Sequence, residues 1–159
     1  MKGVFTLTTP ADLVRKLRLD YSTLEQDPNN PYLAFNFFVT AEHLLDWIYP
    51  GYENKAKREA EREAEVLLQI CSHLASGAKH FVAEAKHHTS VSGTVQRVGN
   101  PLQSRLLNSP LLHGGGIPGL CVNLEGKAKD ALGSSIQVAR LAVLTLKFWE
   151  NHAAFRENI

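Results

Sequence analysis

Apolar side chains recur so densely through residues 31 to 49, PYLAFNFFVTAEHLLDWIY, that they cover most of a helix circumference when plotted at about 100° per residue. That pattern predicts a helix buried by its neighbours, the segment the rest of the chain must be built to cover. One polar line interrupts it. Asn36, Thr40 and His43 stand at i, i+4 and i+7 on one face, and Glu42 and Asp46, four apart, stand on the next. Polar groups in a packed helical core cost free energy unless they are hydrogen-bonded, so the line calls for partners from another helix. The candidates lie in Ala78-Lys79-His80-Phe81.

The flanking segments show their own periods. Residues 3 to 8 read as a short extended arm. Thr9, Pro10 and Asp12 then supply a capping hydroxyl, a proline at the first helical position and an acid in the first turn. The spacing predicts a helix over residues 10 to 25, with Leu13, Leu17, Tyr21 and Leu24 inward and Arg15, Lys16 and Arg18 on a solvated face. The turn DPNN leads to Asn30-Pro31, which starts the central helix, and Pro50-Gly51 closes it. From about Asn54 the small residues Ala56, Ala60 and Ala64 continue through Leu67, Cys71, Leu74, Ala78 and Phe81 as one amphipathic line. A single helix of that length is a rod of roughly 50 Å, so either its N-terminal end projects or it bends near Ser76-Gly77.

The helical signal stops over residues 89 to 128. TSVSGTVQRV and GLCVNL alternate as two short strands able to pair antiparallel, and the Gly- and Pro-rich stretch between them reads as a long loop. A last helix follows from about Asp130 to near Arg156, with Ile136, Ala139, Val143, Leu146 and Ala153 as its inward line. The fold class expected is all-α: a four-helix bundle, in a single domain spanning residues 1 to 159, with a small two-strand insertion before the last helix.

Composition narrows the function classes. At 159 residues the chain is long enough to bury a core without metal or disulfide support. A formal net charge of +1 argues against a broad electrostatic footprint for nucleic acid and leaves room only for a local basic patch. Cys71 and Cys121 form no paired motif and read as buried free thiols of a reducing compartment. The N-terminus lacks the pattern of a signal peptide, and the longest uncharged run, residues 106 to 124, is rich in Pro and Gly. A cytoplasmic protein with no membrane association is expected.

Three constellations bear on chemistry. If the second and third helices are antiparallel neighbours, Asn36, Thr40, His43 and Asp46 meet Lys79 and His80. An imidazole, a carboxylate and an ammonium would then stand together, fit to bind a phosphate or move a proton. In that arrangement His80 is the acid or base, with Asp46 and His43 beside it, and Lys79, Asn36 and Thr40 hold the ligand; the same residues equally make a hydrogen-bonded network that sets helix register. His73, His80 and His87 repeat every seven residues, but seven residues rise about 10.5 Å, so no two of them reach one ion unaided. His43 and Asp46, three apart, can face one ion, yet without an Glu-x-x-His pair or an HExxH motif neither a metal site nor a cofactor is expected. HGGGIPG at 113 to 119 has the glycines of a lipase-type oxyanion loop without any GxSxG turn to serve, and Cys71 sits on the inward line of its helix.

The blocks FNFFVTAEHLLDW, LLQICSHLASGAKHF and LKFWENH together resemble a family of uncharacterised bacterial helical proteins and, more distantly, the HEPN group of helical domains. The resemblance implies a helical bundle that self-associates, with RNA or nucleotide as partner in a toxin or phage-defence setting. HEPN ribonucleases act through Arg-x4-6-His on a late helix. Here Arg105 and His113 stand too far apart in the loop, as do Arg140 and His152, and Lys79-His80 is the adjacent basic pair that takes the motif's place. The alternative is a non-catalytic protein–protein interaction module, meeting a partner protein through residues 55 to 65 or the last helix, in which the polar line only sets register.

Overall fold

The computed structural model describes residues 3–79, 89–97 and 119–156. His80 lies outside these, as do the long loop and the HGGG stretch, and nothing is described of the Lys79 side chain.

Helix α1 (Pro10–Gln26) starts where its capping residues require. The Thr9 hydroxyl accepts from the Asp12 N–H at 3.2 Å, and the Asp12 carboxylate accepts from the Thr9 N–H at 2.8 Å, a reciprocal capping box with Pro10 in the first turn. Leu13, Val14, Leu17 and Leu24 are buried and Tyr21 is half-buried, as their spacing predicts. Helix α2 (Pro31–Ile48) is capped by Asn30, whose side chain accepts from the Tyr32 N–H at 3.1 Å. Phe37, Ala41, Leu44 and Leu45 are completely enclosed, while Tyr32 and Phe35 near its start are 79% and 48% exposed. The helix is therefore buried along most of its circumference and bare along one face, aromatic at its start and continued by Asn36, His43 and Asp46.

The expected long third helix is two. A 3-10 turn (Tyr52–Asn54) leads into α3 (Lys55–Ala64), and α4 (Val66–Lys79) follows after one residue. Glu65 is extended, at φ −122° and ψ 115°, and its carboxylate accepts from the Leu67 N–H at 3.1 Å, capping α4. The Gln69 amide donates back to the Glu63 carbonyl at 2.9 Å. Ser76-Gly77 lies within α4, so the interruption comes at Glu65. The line Ala56, Ala60, Ala64 is exposed, not inward.

Strands β1 (Val91–Arg97) and β2 (Gly119–Leu124) pair antiparallel as expected, and a third strand, β3 (Ser135–Gln137), adds to β2, giving the order β1-β2-β3. Its residues were expected in the last helix, which is instead divided into α5 (Gly126–Leu132), α6 (Val138–Glu150) and α7 (Ala153–Arg156). Gly133, at φ +89°, ends α5 in a conformation that side-chain-bearing residues rarely adopt. Because α6 starts afresh at Val138, its inward line is Val138, Leu141, Ala142, Thr145 and Trp149, rotated from the expected one. Ile136 is buried, but from the strand.

Helices α1, α2, α4 and α6 pack on one another, with α2 touching the other three, around Leu17, Phe37, Leu44, Leu68, Leu141 and Trp149. The protein is thus mainly helical with a small three-stranded antiparallel sheet. Among the described residues no helix is long and apolar enough to cross a membrane.

The Asp12 cap makes α1 sensitive to acid. The Thr8 N–H, followed by the Thr9 hydroxyl and N–H, donates to its carboxylate and lowers its pKa from 3.8 to about 2. A carboxyl depressed in the folded state contributes stability above its unfolded pKa and loses it as pH falls through the folded one. The amide resonances of Thr8 and Thr9, which report the folded carboxyl, should therefore titrate with a midpoint near pH 2, and Asp12→Asn should abolish that titration while weakening the helix at neutral pH.

Candidate functional site

The polar line of α2 does not converge. Thr40 is buried against α1: its hydroxyl lies 2.8 Å from Lys16 Nζ and 2.6 Å from the Asp20 carboxylate, which Lys16 also contacts at 2.6 Å. Asp46 turns the other way and pairs with Arg58 Nε of α3 at 3.1 Å. Asn36 and His43 are exposed, and the Asn36 backbone carbonyl lies 2.9 Å from the Thr40 hydroxyl. The four described members of the predicted cluster therefore point in three directions, and a meeting with Lys79 and His80 falls outside the described side chains. Residues on one helix face at i, i+4 and i+7 diverge when different neighbours cover successive turns.

Glu42, on the adjoining face, forms an ion pair from α2. Its carboxylate accepts from Arg62 of α3 at 2.6 Å in a largely enclosed site. Burial raises its pKa, and the facing guanidinium offsets part of that rise. One carboxylate oxygen, together with Arg62 Nε, is buried without a hydrogen-bond partner among the described residues.

A groove was not foreseen. It opens between the first half of α2, the last half of α4 and the sheet, with a volume of about 840 Å³, and its wall includes Ala34, Phe35, Phe38, Leu74, Val91 and Val122. The sheet is pinned beside α2 by Asn29, whose side-chain oxygen accepts from the Leu120 N–H at 3.2 Å. A Cβ at Gly119 would stand 2.8 Å from that oxygen, at a backbone φ of +124°, so only glycine allows this approach. The aromatic strip of Tyr32 and Phe35 borders the groove, and Phe35 belongs to both.

His73, in the groove wall, and Ser90 behind it are tied to the scaffold. His73 Nδ1 accepts from the Val91 N–H at 3.2 Å, so that nitrogen is not available as a base. Ser90 Oγ, 3.5 Å from the same nitrogen, donates to the Gln69 carbonyl at 3.2 Å. The pair ties α4 to β1 instead of forming a nucleophile and its base. Cys71 is fully enclosed, with its sulfur 3.8 Å from the Thr145 hydroxyl, and burial pushes its thiol up to about 12, which leaves no thiolate near neutral pH. Among the described residues no group of three or more His, Cys, Asp or Glu is placed to hold a metal ion.

Compared with protein-family models, with curated proteins and with solved structures, the chain matches none. The likeness to HEPN domains rests on the three sequence blocks alone.

Thr40 separates a structural polar line from a ligand-binding one. Thr40→Val keeps the shape, removes the hydroxyl from the Lys16–Asp20 pair and should cost about 1–2 kcal/mol. Asn36→Ala and His43→Ala, at exposed positions, should stay within about 0.5 kcal/mol. Urea denaturation of the three variants measures the difference.

Proposed function

We propose that this chain is a non-catalytic protein–protein interaction module, built on a bundle of α1, α2, α4 and α6, that self-associates through the face carrying the groove and the Tyr32–Phe35 strip. The supporting observation is the juxtaposition of the two: a groove with apolar walls beside polar ones, among them Ser92, Thr94 and Glu125, shares Phe35 with an exposed aromatic edge. A two-fold dimer requires a surface complementary to itself, and a projecting aromatic beside a partly apolar groove meets that need, each copy inserting its ring into the other. Exposed aromatic surface next to a cavity is costly in a monomer and becomes favourable once covered. The polar line of α2 then serves register: Thr40 locks α2 to α1, and Glu42 and Asp46 bind α3.

A phosphate-binding site for RNA or nucleotide needs cationic and acid–base groups converging on one point. Lys16 and Arg58 instead contact carboxylates, and His73 Nδ1 accepts a backbone N–H. That arrangement favours the interaction reading.

Sedimentation velocity at micromolar concentration should show a dimer for the wild type. Phe35→Glu should give a monomer with unchanged helical circular dichroism, and Phe35→Leu should retain most of the association. A wild type that stays monomeric overturns the reading. So does tight binding of a labelled RNA oligonucleotide that disappears with His80→Ala, which would restore the phosphate site.

A further inference from the structure

Helix α3 is attached to the body unlike the other long helices. It buries no side chain, and its main backbone neighbours are α4 and the 3-10 turn, which adjoin it in the chain. Three of its residues are partly covered: Arg58, Glu61 and Arg62. Those three bind it to the molecule. Arg58 pairs with Asp46 at 3.1 Å and donates to the Gly51 carbonyl at 2.8 Å; Arg62 pairs with Glu42 at 2.6 Å; Glu61 accepts from Nε2 of His152 just past α6. The His152 tautomer suits this bond, because its Nδ1 accepts from the Ala154 N–H at 3.2 Å and leaves the proton on Nε2. The side chains of Arg58, Arg62 and Glu61 lie mostly covered against the body, so α3 is held by enclosed charged contacts with no apolar side chain of its own in the core.

The junction with α4 is equally particular. Residues 55 to 75 contain neither glycine nor proline, and Glu65, the one extended residue, is a good helix former. With Glu65 in a helical conformation, the open carbonyls at the end of α3 and the open N–H groups at the start of α4 would pair, joining residues 55 to 79 as one helix. The amphipathic pattern runs through the break without interruption. At the other end, the six residues 49 to 54 give α3 a tether of roughly 20 Å when extended. Docking also has a cost: Arg62 Nε sits buried without a hydrogen-bond partner among the described residues in the docked arrangement.

We propose that α3 is a hinged strap, alternating between its docked position across α2 and the end of α6 and a raised position in which Glu65 turns helical and α3 continues α4. Raising it uncovers Glu42 on α2 and His152 beside Trp149, a seam of acid and aromatic groups that the docked strap closes. The device is independent of the groove and of self-association through it.

Nitroxide labels on Lys57→Cys in α3 and Lys147→Cys in α6 report the movement, since native Cys71 and Cys121 are 0% and 3% exposed and escape labelling in the folded protein. With the strap docked, electron–electron resonance distances should show one main population. Arg58→Ala, Glu61→Ala and Arg62→Ala together should add a population longer by roughly 10 Å or more, with no loss of helical circular dichroism. Adding Val66→Pro should remove it, because proline at the first position of α4 holds the preceding residue near the extended conformation that Glu65 already has. If the triple variant fails to fold, Glu65→Ala in the otherwise native protein tests the same hinge, by removing the cap of α4 and raising the longer population. The inference is overturned if the docked distance alone persists in both variants. It is equally overturned if the distances broaden while helical signal is lost, or if the longer population survives Val66→Pro.

Discussion

The enclosure of α2 is the constraint on which this structure turns. With Phe37, Ala41, Leu44 and Leu45 fully shielded, the helix needs neighbours on several sides, and α1, α4 and α6 supply them. Enclosed side chains of this size each contribute about 1.5–3 kcal/mol relative to an exposed state, which places the main stabilisation where these four helices meet. Polar groups on such a helix must then be matched from whichever neighbour covers them. Thr40 is matched from α1, and Glu42 and Asp46 from α3.

That division gives the helices two kinds of attachment. α1, α4 and α6 are joined to α2 by apolar packing, which is strong and nearly indifferent to salt. α3 is joined by partly enclosed charged contacts, whose attraction is offset by the cost of taking the charges out of water. A single chain therefore combines an apolar centre with one element attached through charge. The contrast follows from composition, since residues 55 to 64 contain three alanines and otherwise only charged side chains.

Two features flank the centre. The groove opens where the sheet lies beside α2 and α4, with Asn29 and Gly119 setting the approach. The strip of Tyr32 and Phe35 arises because α2 carries aromatics on a face that the other three helices do not reach. Phe38, Val91 and Val122 in the groove wall belong to the core, whereas Tyr32 and Phe35 stand outside it. The enclosed Cys71 and the scaffold bonds of His73 and Ser90 belong to packing and not to chemistry.

Local signals in the sequence settled the helix starts: Thr9-Pro10 with Asp12, and Asn30-Pro31, act through bonds to residues two or three positions away. The enclosure of most of α2 and the pairing of β1 with β2 were legible for a similar reason, because the period of apolar residues records which faces avoid water. The break at Glu65, the strand at 135 to 137 and the rotation of α6 were not legible, since helical propensity and apolar pattern run through all three; what decided them was where Arg58 and Arg62 find carboxylates and where β2 finds its second edge. The direction taken by each polar group of α2, and the groove itself, depend on which neighbour covers which turn. Contacts between residues distant in sequence alone determine that, so tertiary structure decided the site while the order of residues decided the elements.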